Sequence, residues 1–154
     1  MQYFRLDNPI NKPADLIGKK VGLVPGSIGV GQFQTLLSRN AIPPDKVTVV
    51  FTGTDPAPVL SGQLDTMQSY EEAEALQMRL QGRPIGVLRL ADFGVGAYGL
   101  NIIASDKMIA ASPDLVRAFV AATIEGYEFL RDHPREAAEV YSRLFPEHDK
   151  RFVE

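Results

Sequence analysis

The sequence predicts an α/β protein with a largely parallel sheet, followed by a purely helical part. Two observations carry that prediction. Over roughly the first hundred residues, short β-branched runs alternate with helical patterns, the order that builds parallel sheets from strand–helix units. Beyond residue 105 the alternation stops, and apolar residues recur at helical spacing through two successive segments.

KKVGLV (19–24) is a β-branched run halted by Pro25-Gly26, a strand and its stop signal. Ser27 stands where a helix N-cap belongs, and Phe33, Leu36 and Leu37 follow at helical spacing. Asn40 is placed to end that helix in a left-handed conformation before Pro43-Pro44. VTVVF (47–51) reads as a second, buried strand. Asp55-Pro56 reads as the cap and first turn of a short helix that closes near Gly62, and LDTMQ (64–68) as a third short strand. EEAEALQMRLQG (71–82) has strong helix formers, with Ala73, Leu76 and Leu80 on one face. IGVLRL (85–90) is a fourth strand, and GLNIIAS (99–105) a fifth after a glycine-rich loop. Ser112-Pro113 opens a helix running to about Asp132. Pro134 opens another, with Ala137, Val140, Tyr141, Leu144 and Phe145 on one stripe.

Composition bounds the function classes. The chain has 154 residues, enough for one average domain that buries roughly 70% of its unfolded surface. Net charge is −3, and the lysines and arginines are scattered, so the basic patch of a nucleic-acid binder is missing. No apolar run approaches the roughly 20 residues of a membrane span. Cysteine is absent, which excludes disulfides, thiolate-held zinc, iron–sulfur clusters and a thiol nucleophile within these residues. The two histidines, His133 and His148, read as solvated surface residues rather than metal ligands. No catalytic constellation, metal or cofactor is implied. MQYFRLDNPINKPADL (1–16) lacks the basic and apolar regions of a signal peptide.

Two glycine clusters invite a nucleotide reading and fail it. Gly26 and Gly31 have P-loop spacing, but Gln32 and Phe33 follow where Lys and Ser/Thr are needed for the phosphates and magnesium. Gly94, Gly96 and Gly99 match the dinucleotide spacing but precede a strand-like run, so no helix N-terminus is there to meet a pyrophosphate. For the first cluster two readings stay open. The unpaired amides at the helix start hold a ligand, with Ser27 adding its hydroxyl, or Ser27 caps the helix and the glycines turn the chain.

Three stretches, taken together, carry a family resemblance: ADLIGKKVGLVPGS (14–27), LSGQLDTM (60–67) and SPDLVRAFVAATIEGYEFLRDHPREAA (112–138). They resemble the substrate-binding proteins of bacterial ABC importers, in the group handling nitrate, sulfonates, taurine and thiamine-pyrimidine precursors. The resemblance implies a periplasmic-binding-protein-like (type II) fold of two α/β lobes with ligand in the cleft between them. It maps residues 1–14 to the first crossover, with a strand at 3–7. Residues 15–93 map to the second lobe with its parallel-dominated sheet, 94–105 to the return crossover, and 106–154 to the C-terminal helices of the first lobe. The sheet of the first lobe has no counterpart, so the expectation is a truncated product, a misplaced reading frame or an engineered fragment. An intact member would be periplasmic or anchored at the cell surface and would serve an ABC permease. The apolar stripes of the last helices, left without that sheet, are expected to pack against another copy of the chain, to swap between protomers, or to remain partly disordered.

The resemblance also implies a binding role for particular residues. Gly26, Ser27, Ile28 and Gly29 fall where the second lobe offers backbone N–H groups to the ligand. Tyr70 and Glu71 follow the third strand, at the sheet edge where ligands sit. Glu71 resembles a glutamate of the pyrimidine-precursor branch that accepts from ring or amino N–H groups. A carboxylate there discourages a simple anion. Tyr98 is suited to stack on an aromatic ring. The blander alternatives are that Glu71 only favours a helix start and Tyr98 only packs. A thiamine-pyrimidine synthase of the same fold is the rival from the enzyme class. That resemblance depends on a cysteine-rich iron motif, and this sequence has no cysteine. A ligand-sensing regulatory domain is the second rival.

Overall fold

Five strands build one sheet: Gln2–Arg5 (β1), Lys20–Leu23 (β2), Thr48–Phe51 (β3), Thr66–Gln68 (β4) and Ile85–Leu88 (β5). Their order is β3–β2–β4–β1–β5 in the computed structural model, which describes residues 1–99 and 101–147. β2 runs parallel to β3 and to β4, while β1 is antiparallel to both β4 and β5. The sheet is therefore mixed, with four strands in one direction and the chain's opening strand inserted against them. The described chain divides into two compact units, Met1–Ala97 and the residues from Tyr98 onward.

Alternation along the strands sends side chains to two cores. Tyr3 and Phe4 are successive residues of β1, so they face opposite ways. Phe4 joins Val21, Leu23 and Leu88 against Phe33, Leu36 and Leu37 of the helix Ile28–Arg39 (α1). Tyr3 joins Met67 and Ile85 against Val59 of the short helix Ala57–Leu60 (α2) and Met78 of the helix Leu76–Leu80 (α3). Each such side chain contributes about 1.5–3 kcal/mol when fully buried. The Asp55 carboxylate accepts from the Ala57 N–H at 2.9 Å, which starts α2 where the sequence expects it.

The LSGQLD segment (60–65) has a structural explanation. Gly62 has φ +80°, and a Cβ there would stand 2.7 Å from Nη1 of Arg5, which donates to the Val59 carbonyl at 3.0 Å. Asp65 accepts from the Lys20 N–H at 2.8 Å and from Nδ2 of Asn8 at 2.6 Å, and Lys19 Nζ donates to Asn8 Oδ1 at 2.6 Å. This network ties β2, β4 and the segment after β1 together at their near ends.

Several expectations are corrected. VTVVF is an edge strand, and Val49, Val50 and Phe51 are exposed. A β-branched run states strand preference but not how many neighbours will cover it. Residues 99 and 101–105 form no strand: they pair with none of the five strands of the sheet, and an isolated strand has nothing to bond. Leu100 lies outside the described residues. The 71–82 segment is not one helix: a wide turn, Glu71–Ala75, kinks at Ala73 (φ −113°, ψ −111°) before α3. The kink rotates the buried face, which holds Ala75 and Met78 in place of Ala73, Leu76 and Leu80. Finally, the left-handed residue after α1 is Ala41 (φ 54°). Asn40 instead donates its Nδ2 to the Leu36 carbonyl at 2.8 Å.

The second unit is helical. Ser105 caps an unforeseen helix, Asp106–Ala111 (α4), by accepting from the Met108 N–H at 3.2 Å. Pro113–Asp132 (α5) starts and ends where the sequence places it, and Pro134–Leu144 (α6) follows. His133 is exposed and stacks on Phe129 at 5.1 Å between ring centres; His148 lies outside the described residues. Among the described residues of this unit, Ala138 alone is buried. No helix among them is long and apolar enough to cross a membrane.

Candidate functional site

The four co-directional strands bring their C-terminal ends to one edge of the sheet. β2 leads into Val24–Ser27, β4 into Ser69–Glu71 and β5 into Arg89. In open α/β sheets this is the edge at which ligands bind. β2 and β4 are neighbours, so their ends stand about 4.8 Å apart.

At the end of β2 the chain turns through Gly26, whose φ is +73°. Ser27 takes the extended conformation of an N-cap residue (φ −78°, ψ 156°), yet its side chain makes no cap hydrogen bond. The hydroxyl instead donates to the Val24 carbonyl at 2.7 Å and accepts from Nε2 of Gln68 at 3.0 Å. Oε1 of the same Gln68 accepts from the Val24 N–H at 3.1 Å. The N–H groups of Ile28 and Gly29, ahead of Val30, whose N–H donates to the Ser27 carbonyl at 3.2 Å, are thus left uncapped by the Ser27 side chain. They point their partial positive charge along the helix axis toward the sheet edge.

At the end of β4, the Tyr70 side chain is 55% exposed. Glu71 is held by Arg89 from the end of β5, with Nε at 2.9 Å and Nη2 at 2.5 Å, and Arg79 Nη1 lies at 3.7 Å. The Arg89 hydrogen bonds, reinforced by the Arg89 and Arg79 charges, keep the Glu71 carboxyl below the usual carboxylate range. Glu71 is therefore ionised but engaged, and the edge presents a carboxylate–guanidinium pair in place of a bare anion.

Of the residues singled out in the sequence, Gly26, Ser27, Ile28 and Gly29 stand at one strand end, and Tyr70 and Glu71 at the next. Tyr98 is 87% exposed and belongs to the second unit. Sequence reasoning missed Gln68 and Arg89. The available signal was positional: each is a long polar side chain at or just past the C-terminal end of a strand. Among the described residues, no group of three or more His, Asp or Glu side chains could hold a metal ion.

This sheet order, with one reversed strand, flanking helices and a polar edge, defines a periplasmic-binding-protein-like fold of type II, consistent with one lobe of such a protein. The chain belongs to the NMT1/THI5-like family, whose model matches residues 2–137. The riboflavin-binding protein RibY of Chloroflexus aurantiacus is 32% identical over 143 residues, covering 90% of this chain and 40% of that protein. A formylaminopyrimidine-binding protein of Halalkalibacterium halodurans is 26% identical, covering 89% of this chain and 42% of its own length. The 4-amino-5-hydroxymethyl-2-methylpyrimidine phosphate synthase of Schizosaccharomyces pombe is 31% identical, covering 75% of this chain and 36% of the enzyme. This chain thus spans about two fifths of the length of the curated relatives it matches. In fold it is similar to the periplasmic aliphatic sulphonate-binding protein SsuA of Escherichia coli, with a TM-score of 0.84 over 99% of this chain and 52% of that one, at 16% identity.

Proposed function

We propose that this chain is the ligand-holding lobe of a solute-binding protein serving an ABC importer, and that its solute is a flat nitrogen heterocycle. The observation that carries the binding role is the uncapped start of α1 at the C-terminal edge of the sheet, where donors face outward beside the exposed ring of Tyr70. The heterocycle is favoured because riboflavin and formylaminopyrimidine, named for two relatives, share ring nitrogens and carbonyl acceptors. Carbonyl oxygens suit the Ile28 and Gly29 amides, Tyr70 offers a stacking face, and the Glu71–Arg89 pair offers both an acceptor and donors. In this reading residues 15–93 form the lobe, 1–14 and 94–105 the crossovers and 106–154 helices of the other lobe. The intact protein works outside the membrane with its permease.

Titration calorimetry with riboflavin, formylaminopyrimidine and an alkanesulfonate tests this. A micromolar ligand corresponds to about −8 kcal/mol, so one lobe supplying half of that binds at roughly millimolar. The expected result is weak binding of a heterocycle and none of the sulfonate. Preference for the sulfonate, or no heterocycle binding, overturns the ligand class. The match to a pyrimidine synthase favours one further reading, catalysis, which the same experiment separates: a solute-binding protein returns its ligand unchanged, and an enzyme does not.

A further inference from the structure

We infer that Gln68 is the positioning residue of this site: it holds the Ser27 hydroxyl away from α1 and so keeps the first amides of the helix open to a ligand. The inference rests on the reading of the α1 start as the ligand-facing end. A serine at an N-cap position ordinarily turns its oxygen onto the N–H of the second or third helical residue, here Gly29 or Val30. Ser27 does not: its hydroxyl is turned back from the helix, onto the Val24 carbonyl at 2.7 Å and the Gln68 side-chain amide, whose Oε1 lies at 3.2 Å and Nε2 at 3.0 Å. Gln68 also accepts from the Val24 N–H at 3.1 Å, so one amide group grips both ends of the 24–27 turn.

Room for that amide is made on the helix itself. A Cβ on Gly29 would stand 2.5 Å from Oε1, 2.7 Å from Cδ and 2.7 Å from Nε2 of Gln68. Glycine at 29 therefore admits the Gln68 side chain into the first turn of α1, and any larger residue expels it. Three features act together: a glycine that makes space, a glutamine that fills it, and a serine that is kept from capping. A structural role alone would be served as well by Ser27 capping its helix, which satisfies a further amide.

The test is amide hydrogen exchange by NMR on the full 154-residue chain. It compares the natural sequence with Gln68→Ala, Ser27→Ala and the double variant. Once Gln68 is removed, Ser27 is free to cap, and exchange at the Gly29 amide slows about tenfold. Adding Ser27→Ala restores the fast exchange, a reversal that loss of packing does not produce. Gly29→Ala, which expels the Gln68 side chain without deleting it, slows exchange at the residue-29 amide in the same sense, relative to its intrinsic rate, and serves if Gln68→Ala does not fold. Unchanged or faster exchange at Gly29 in Gln68→Ala overturns the inference. Binding is read separately with riboflavin and formylaminopyrimidine, each expected to weaken tenfold or more in Gln68→Ala. If exchange switches but neither compound binds the natural sequence, the ligand reading fails and the positioning role of Gln68 stands.

Discussion

Tyr3 carries the single buried side-chain polar atom that lacks a hydrogen-bond partner among the described residues, its hydroxyl. Leaving such a group unpaired costs about 1–3 kcal/mol. Tyr3→Phe is therefore expected to raise unfolding stability by about 1 kcal/mol, read by urea denaturation; a loss of stability would show that the hydroxyl is paired. Burial, with the Glu74 and Asp55 charges behind it, pushes the Tyr3 ionisation well above the ordinary tyrosine value of 10.0. The sign follows from linkage. The folded state keeps a proton that the unfolded state loses, so stability is intact below pH 10 and falls as pH rises beyond it. Absorbance at 295 nm will show one of the five tyrosines ionising only with unfolding. The residue scale also shows what local sequence conveys. Ser27 and Ser112 occupy N-cap positions, as their chemistry suggests, but the Ser27 hydroxyl is claimed by Gln68, 41 residues away.

Glu71 and Arg89 act at the scale of elements. The pair joins the ends of β4 and β5 across the intervening strand β1. Its carboxyl is depressed, so its contribution is present at neutral pH and is lost only as pH falls through a value below the usual glutamate range. Arg89→Ala is expected to move the Glu71 titration up into the ordinary range, as followed by carboxyl carbon shifts in NMR. Overall stability changes little, because both side chains are more than a third exposed to solvent and the pair is screened. An unshifted titration would mean that the pair does not persist in solution. The turn at 71–75 shows the limit of propensity. EEAEALQMRL is rich in helix formers, yet the kink at Ala73 sets the buried face to Ala75 and Met78 because the core against Tyr3 and Met67 needs them there.

For the whole molecule, the apolar surface of the second unit is the feature with consequences. Leu115, Phe119, Val120, Ile124, Tyr127 and Leu130 of α5 all remain at least 36% exposed. Patches beyond a few hundred Å² mark interaction sites or aggregation liabilities. Sedimentation velocity is expected to show concentration-dependent self-association that Phe119→Glu abolishes. A monomer at every concentration would remove self-association from the picture.

The sequence by itself determined the α/β class and the positions of β2, β4, β5, α1, α5 and α6. It could do so because each depends on local information: β-branched runs, helical periodicity, and Gly, Pro and Ser at element ends. Only the tertiary structure decided that the first strand enters the sheet reversed, that VTVVF lies at an edge, and that NIIAS pairs with nothing, since these depend on which strand lies beside which. It also decided that Glu71 is matched by Arg89 and that Ser27 is turned from its helix by Gln68. Both are pairings between residues far apart in the chain, and they exist only once the sheet has brought its strand ends to one edge.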